Sequence, residues 1–455
     1  MPFTSTNPST GLIFFEKSDW DSTKIDLSLD LSQAAFQVWR NTPYNERAEH
    51  LLSAAKALRN NKETLATLIT QEMGKLLTES KAEVEKCALA CEYFAQHGQS
   101  FLQDTIIPSD AKHSYVVFQP LGPVLAVMPW NFPLWQVMRF AIPALLAGNT
   151  VVLKHASNVP QCALALENIF ANTDAPKHIF QTLLINSQQT QHLIRDRRIT
   201  AVTLTGSTEA GKEIAATAGH SIKKTVLELG GSDPFVLLGD ADITKAAQVA
   251  TQSRYMNCGQ SCIAAKRFIV VKDIASKFIE AFVEKARELV TGDPMHSSTT
   301  LAPMARADLR DQLHAQVHKT VQMGGKCLLG GTPQIGEGFF YPATVLSELP
   351  ENSPPSNQEL FGPVASLFVV KDEHEALALA NRTQYGLGGS VWTKDLERGQ
   401  QFARKLECGA AFVNGLVKSD PRLPFGGIKE SGYGRELAKL GMREFVNAKT
   451  IWVGD

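Results

Sequence analysis

Residues 30–104 carry apolar side chains at helical spacing. Leu31, Ala34, Ala35, Val38 and Trp39 share one stripe, and "ERAEHLLSAAKALRNNKETLATLITQEMGK" continues it with few breakers. The spacing predicts helix throughout this segment. The pattern then changes: "HSYVVFQPLGPVLAVMP" is rich in β-branched residues and ends in Pro-Gly punctuation. From about residue 137 to 230, "TVVLK", "FQTLLI" and "AVTLTG" read as buried strands, alternating with helices at "VPQCALALENIFA" and "STEAGKEIAATAG". Apolar strands separated by helices predict a parallel sheet covered on both faces.

A second series repeats this rhythm. "DPFVLLG" and "KRFIVVK" read as strands, and "ITKAAQVATQSRYMN" and "IASKFIEAFVEKARELV" as helices. A Pro- and Gly-rich loop, "GEGFFYPATVLSELPENSPPSNQELFGPV", precedes the strand "ASLFVVK", and "KTIWVGD" is a short β-prone tail. No fixed-period repeat is present. The fold class expected is α/β, with two open domains and an arm built from strands at 110–126 and 446–454.

Composition narrows the class. A chain of 455 residues exceeds one ordinary core, and 44% hydrophobic with 20% charged residues suits a soluble globular protein. A formal net charge of -1 gives no electrostatic reason to expect nucleic acid or an acidic membrane as partner. "MPFTSTNPSTGLIFF" lacks the pattern of a secretory signal, and Phe140 to Leu153 is too short and interrupted to span a bilayer. The expected location is cytoplasmic.

Seven scattered cysteines do not form a disulfide framework. Cys87 and Cys91, one helical turn apart in "KCALACEYF", are read as core. "NCGQSC" has no further Cys or His at zinc-binding spacing, and "HAQVH" has Ala315 where a metalloprotease helix needs Glu. No metal site is expected. The spacing of Cys258 and Cys262 by itself leaves a metal clip, a disulfide and a reactive cysteine as alternatives.

Six short stretches occur in one order: "MPWNFP" (128–133), "LTGSTEAG" (204–211), "LELGG" (227–231), "NCGQSC" (257–262), "ELFGPV" (359–364) and "PFGGIKESGYGRE" (424–436). Each is weak alone; together they are specific. On them the chain resembles the aldehyde dehydrogenase superfamily, and its pattern is similar to that of the succinate-semialdehyde dehydrogenases. The resemblance implies a Rossmann-like cofactor domain over 1–108 and 122–229 and a catalytic domain over 230–421. It also implies an oligomerisation arm over 109–121 and 436–455, hence a homo-oligomer, a dimer or a tetramer.

The resemblance makes Cys262 the nucleophile. Hydride cannot leave a carbonyl carbon until that carbon is tetrahedral, and a thiolate creates such a centre as a thiohemiacetal. It assigns the oxyanion donors to the Asn131 amide and the Cys262 backbone N–H. Glu228 matches the base that activates water to hydrolyse the thioester. For the cofactor, Gly206, Ser207 and the following helix N-terminus would meet the pyrophosphate. Trp130, Glu359 and Phe361 would surround the nicotinamide end. Lys154 matches a lysine at the adenosine ribose, and Ser157 stands where NAD-preferring relatives carry Glu. A hydroxyl in place of a carboxylate beside a lysine favours a 2′-phosphate, so NADP is expected as the preferred cofactor, with NAD weaker.

For the substrate, Arg139 lies six residues after Pro133 in "WQVMRFAIPAL", a setting in which a buried cation requires an anion. The carboxylate of succinic semialdehyde would be that anion, with Ser419, Trp135 and Ser261 as further contacts; the alternative is a structural carboxylate. Another arginine of some relatives is Met256 here, and the usual Lys after "ELGG" is Ser232. Cys258 is read as packing or as a redox partner of Cys262. The functional expectation is oxidation of succinic semialdehyde to succinate. Oxidation of another small or ω-carboxylic aldehyde is the nearest alternative, and a non-catalytic structural role is an alternative from another class.

Overall fold

The apolar strands of the first half assemble around a switch in direction. The computed structural model describes residues 3–455. Strands Pro123–Met128, Thr150–His155, Phe180–Thr182, Ala201–Thr205 and Lys224–Glu228 pair in parallel and are mostly buried. Pro123–Met128 lies centrally, the next two strands extend to one side of it, and Ala201–Thr205 and Lys224–Glu228 to the other. Carboxyl ends of strands flanking such a reversal form the crevice where α/β sheets bind ligands. Residues Gly432–Tyr433 add an antiparallel edge to Lys224–Glu228.

A second sheet of seven strands runs in the order Lys326–Leu329, Thr344–Ser347, Val364–Val370, Ala265–Val271, Asp233–Leu237, Gly388–Trp392, Ala410–Val413. All its neighbours are parallel except the first pair. Each sheet has a hydrophobic core on both faces, as strands without polar alternation require.

The N-terminal helical segment is four helices rather than one: α1 (Ser22–Trp39), α2 (Tyr44–Asn60), α3 (Lys62–Met73) and α4 (Leu77–Phe101). Helix α1 begins before the apolar stripe because Asp21 accepts a hydrogen bond from Lys24 N (2.8 Å) and caps it. Gly74, at φ 84°, ends α3. Helix α5 (Trp135–Leu146) is buried at every position, which places Arg139 in the middle of an apolar helix.

Two readings of the sequence are corrected. "HSYVVFQPLGPVLAVMP" contributes to two different sheets: His113–Pro120 belongs to the arm and Pro123–Met128 to the cofactor-side sheet. The break falls at Gly122, φ 145°, where an added Cβ would lie 2.6 Å from the Thr200 side chain. In "FQTLLI" only Phe180–Thr182 is strand. The arm sheet consists of Thr105–Ile106, His113–Pro120 and Val446–Val453, all antiparallel. The short helix Ala438–Met442 packs instead against α4 and α5. No helix among the described residues is long and apolar enough to cross a membrane.

Candidate active site

A cavity of about 560 Å³ opens at the carboxyl ends of Pro123–Met128 and Ala201–Thr205. It gathers Trp130, Asn131, Gly206, Ser207, Cys262, Glu359 and Phe361, residues drawn from the whole length of the chain. Trp130 and Phe361 meet edge to face, with centroids 5.9 Å apart, on its wall.

Cys262 follows a strained turn. Asn257, Cys258 and Gly259 are consecutive left-handed residues (φ 54°, 52° and 69°). A Cβ on Gly259 would approach the Gly362 carbonyl oxygen to 2.3 Å, so only glycine fits there. Polar contacts hold this turn in place. Asn257 Nδ2 donates to the Asn131 carbonyl (2.8 Å) and the Gln260 carbonyl (3.0 Å), and Ala305 N donates to Gln260 Oε1 (3.0 Å). Lys266 Nζ donates to the carbonyls of Ser261 (2.9 Å) and Cys262 (2.8 Å) and pairs with Glu359 Oε1 (3.1 Å). Asn131 Nδ2 donates to the Gln260 carbonyl (3.0 Å); a side-chain amide has a second N–H to direct elsewhere.

One face of α4 ties the two loops together. Glu79 Oε1 accepts from Asn257 N (3.0 Å), and Glu83 Oε1 accepts from Leu134 N and Trp135 N (2.9 Å each) at the start of α5. Glu83 is itself paired with buried Lys75, whose ammonium lies 3.8 Å from the Phe132 ring centroid. His155 Nδ1 accepts from Ala156 N (2.9 Å), so Nε2 carries the proton and donates to the Pro133 carbonyl (2.8 Å). Burial drives the His155 pKa down to about 4, keeping it neutral.

Glu228 ends its strand fully buried, and among the described residues no donor reaches either carboxylate oxygen. Desolvation, followed by the negative charge of Glu436, pushes its pKa well above the carboxylate range; Arg139 and Arg435 oppose this. Burial pushes the Cys262 thiol up to about 12, with Arg139 and Lys266 acting in the opposite direction. The two acids lie in each other's field.

The remaining sequence candidates fall into four groups. Lys154 and Ser157 flank the end of Thr150–His155; Lys154 has no ion-pair partner among the described residues, and burial lowers its pKa. Glu359 accepts from Gly231 N (3.2 Å) as well as pairing with Lys266, and Ser207 caps the helix Thr208–His220 by accepting from Ala210 N (3.3 Å). Ser261 is buried beside the thiol. Trp135 Nε1 donates to Ser419 Oγ (3.0 Å), and Lys86 Nζ donates to the same oxygen (2.8 Å).

Arg139 and Cys258 both have surroundings supplied by the fold. Arg139 Nε lies against Glu436 Oε2, Nη2 donates to Thr205 Oγ1 (3.2 Å), and the guanidinium stacks 4.7 Å from the Phe425 ring centroid. Within the fold its anion is Glu436, the structural carboxylate that the sequence left as an alternative. Cys258 packs into the core of the second sheet while Cys262 borders the core of the first, and both thiols are free. Sequence reasoning also missed Lys86. Its only signal was a charged residue within the buried stripe of α4, beside Glu83 and Cys87.

Comparison with known proteins agrees with this geometry. The model of the aldehyde dehydrogenase family matches residues 1–451. A probable NADP(+) succinate-semialdehyde dehydrogenase of Synechocystis sp. is 48% identical over 453 residues, covering 100% of both chains. The NAD(P)+ succinate semialdehyde dehydrogenase Sad of Escherichia coli K12 is 45% identical, covering 98% of this chain and 97% of its own. The solved succinic semialdehyde dehydrogenase of Streptococcus pyogenes, in complex with NADP+, superposes with a TM-score of 0.98 at 36% identity, each chain covered completely.

Proposed function

Because the chain belongs to the aldehyde dehydrogenase family, we infer that it oxidises succinic semialdehyde to succinate with NADP as the preferred cofactor. The observation that carries the chemistry is the pairing of the Cys262 thiol with a buried carboxyl, Glu228, held without hydrogen bonds in the same field. A carboxyl so placed serves hydrolysis of a thioester, which a CoA-acylating enzyme would not need.

The residues fit NADP. The helix Thr208–His220 presents its N-terminus to the cavity, Trp130 and Phe361 offer aromatic walls, and Lys154, three residues before Ser157, has no ion-pair partner among the described residues. NADP, when bound, supplies the acceptor for hydride. Arg139 and Lys266 favour the Cys262 thiolate, which adds to the aldehyde carbon and forms a thiohemiacetal. Asn131 Nδ2 and the Cys262 N–H are the donors for the oxyanion. Loss of hydride leaves a thioester on Sγ. Glu228, once ionised, takes a proton from water; the hydroxide attacks the acyl carbon, and succinate leaves as the thiolate is restored.

We propose in addition a cytoplasmic homo-oligomer, a dimer or tetramer, formed through the arm, whose Ile106 and Trp452 are exposed. Initial rates over a panel of aldehydes, each with NAD and NADP, test the reading. The highest kcat/KM is expected for succinic semialdehyde with NADP; equal rates with butanal, or a preference for NAD, overturn it.

A further inference from the structure

Lys266 is the second residue of strand Ala265–Val271, and its side chain is buried. Its ammonium sits where three loops meet. Nζ donates to the carbonyls of Ser261 (2.9 Å) and Cys262 (2.8 Å) on the nucleophile's turn, with the Ala264 carbonyl farther off at 3.3 Å. It also pairs with Glu359 Oε1 (3.1 Å), which accepts in addition from Gly231 N (3.2 Å). The circuit closes at Gly231. A Cβ there would lie 2.6 Å from the Cys262 carbonyl oxygen, and one on Gly230 would lie 2.5 Å from Glu359 Oε2. The two glycines of "LELGG" thus admit the Glu359 carboxylate and the Cys262 carbonyl against bare backbone. Three motifs far apart in the chain, "LELGG", "NCGQSC" and "ELFGPV", meet around one nitrogen.

This centre suits lysine and not arginine. An ammonium sends three N–H bonds from a single atom, here to acceptors on two loops, whereas a guanidinium spreads its donors across a plane. Charge balance points the same way. Lys266 faces two carboxylates, Glu359 in contact and Asp233 in its field, and Asp233 Oδ2 has no donor among the described residues. Arg139 and Lys266 favour the Cys262 thiolate, while Glu359 and Glu228 oppose it. Lys266 therefore attracts the nucleophile's charge and offsets that of Glu359. We propose that Lys266 is a positioning residue that registers the Cys262 turn and the Glu359 carboxylate as one unit, so that nucleophile and cofactor are aligned through a single nitrogen. The proposal rests on the reading of Cys262 as the nucleophile and of Glu359 as a carboxylate at the nicotinamide end of the cofactor.

Charge and geometry separate in the variants. Lys266→Met removes both, so the thiol should ionise at higher pH and Glu359 should lose its anchor. Lys266→Arg keeps the positive charge but not the three donors on one atom. Its thiol should behave much as in the parent, while cofactor affinity should fall. Glu359→Gln removes a negative charge that opposes the thiolate and leaves Lys266 in place, so the thiol should ionise at lower pH.

The test measures two quantities besides activity in the parent and these three variants, with thermal melting as a check of folding. One is the pH profile of iodoacetamide alkylation without cofactor, followed at the Cys262 peptide by mass spectrometry. The other is the Kd for NADP, from quenching of tryptophan fluorescence. In Lys266→Met, alkylation at a fixed neutral pH should slow by roughly tenfold, the effect of one pKa unit. Its Kd for NADP should rise by roughly tenfold, the scale of one charge-assisted hydrogen bond. Lys266→Arg should share the loss of NADP affinity and stay within about threefold of the parent in alkylation. A Lys266→Met enzyme that matches the parent in either quantity overturns the proposal, even if its melting temperature falls. Full recovery of NADP affinity in Lys266→Arg overturns it too. Should Lys266→Met fail to fold, a Glu359→Gln profile displaced to lower pH supports the shared unit, and an unmoved profile refutes it. A parent that oxidises no aldehyde with NADP, or keeps its activity once Cys262 is alkylated, refutes the underlying reading instead.

Discussion

Arg139 and Glu436 form an ion pair in the interior, both side chains almost inaccessible to solvent, and Glu228 stands in the field of both. The pair joins α5 to the C-terminal segment and sets the electrostatics of the hydrolytic carboxyl. Breaking such a pair costs about 3–5 kcal/mol, because the remaining charge stays buried. Arg139→Met should lower stability on this scale, measured by chemical denaturation. It should also reduce kcat/KM by similar factors for succinic semialdehyde and butanal. A loss confined to succinic semialdehyde would return Arg139 to the role of substrate anchor.

The raised pKa of Glu228 has a direct kinetic consequence. A general base must be ionised, and Glu228 holds its proton well above the ~4.3 of a free glutamate. Where hydrolysis of the thioester limits turnover, kcat should climb with pH through the neutral region and above. In Glu436→Gln the rise should move to lower pH, since a like charge is removed while Arg139 remains. A pH profile unchanged by this substitution would separate Glu228 from the titrating group.

Gly426 backs onto that same carboxyl. A Cβ there would lie 2.7 Å from Glu228 Oε1, at φ 155°. Gly426→Ala should therefore impair hydrolysis more than acylation, leaving a burst of reduced cofactor followed by slow turnover in stopped-flow measurements. Loss of the burst itself would indicate wider damage.

Ser157→Glu tests cofactor choice. A carboxylate near Lys154 should repel a 2′-phosphate and accept a hydrogen bond from a 2′-hydroxyl. The ratio of kcat/KM with NADP to that with NAD is expected to fall; a constant ratio would place the selecting group elsewhere.

Cys258 sits buried in the second-sheet core, and its thiol is free. Peroxide inactivation of Cys258→Ala, and its recovery with dithiothreitol, should match the parent, with only a loss of stability of about 1 kcal/mol from altered packing. A Cys258–Cys262 peptide in mapping experiments would contradict this arrangement.

The alternation of apolar strands and helices was enough to foresee two α/β halves, because burial on both faces leaves its mark residue by residue. Asn131, Glu228 and Cys262 could be singled out only through the ordered motifs on which the chain resembles a known family, since each residue alone has a blander reading. What the sequence could not determine were relations between distant segments. Arg139 called for an anion, yet only folding brought Glu436 from the C-terminal segment to it. The burial of Cys258 in the second-sheet core follows a turn of three successive left-handed residues, which spacing does not encode. Nothing in the sequence pattern singles out Lys86, which tertiary packing places beside Trp135 and Ser419 while Glu83 and Asp420 take other partners. Periodicity reports whether a side chain is buried; the identity of its neighbours, and thus its charge and chemistry, is decided by the folded structure.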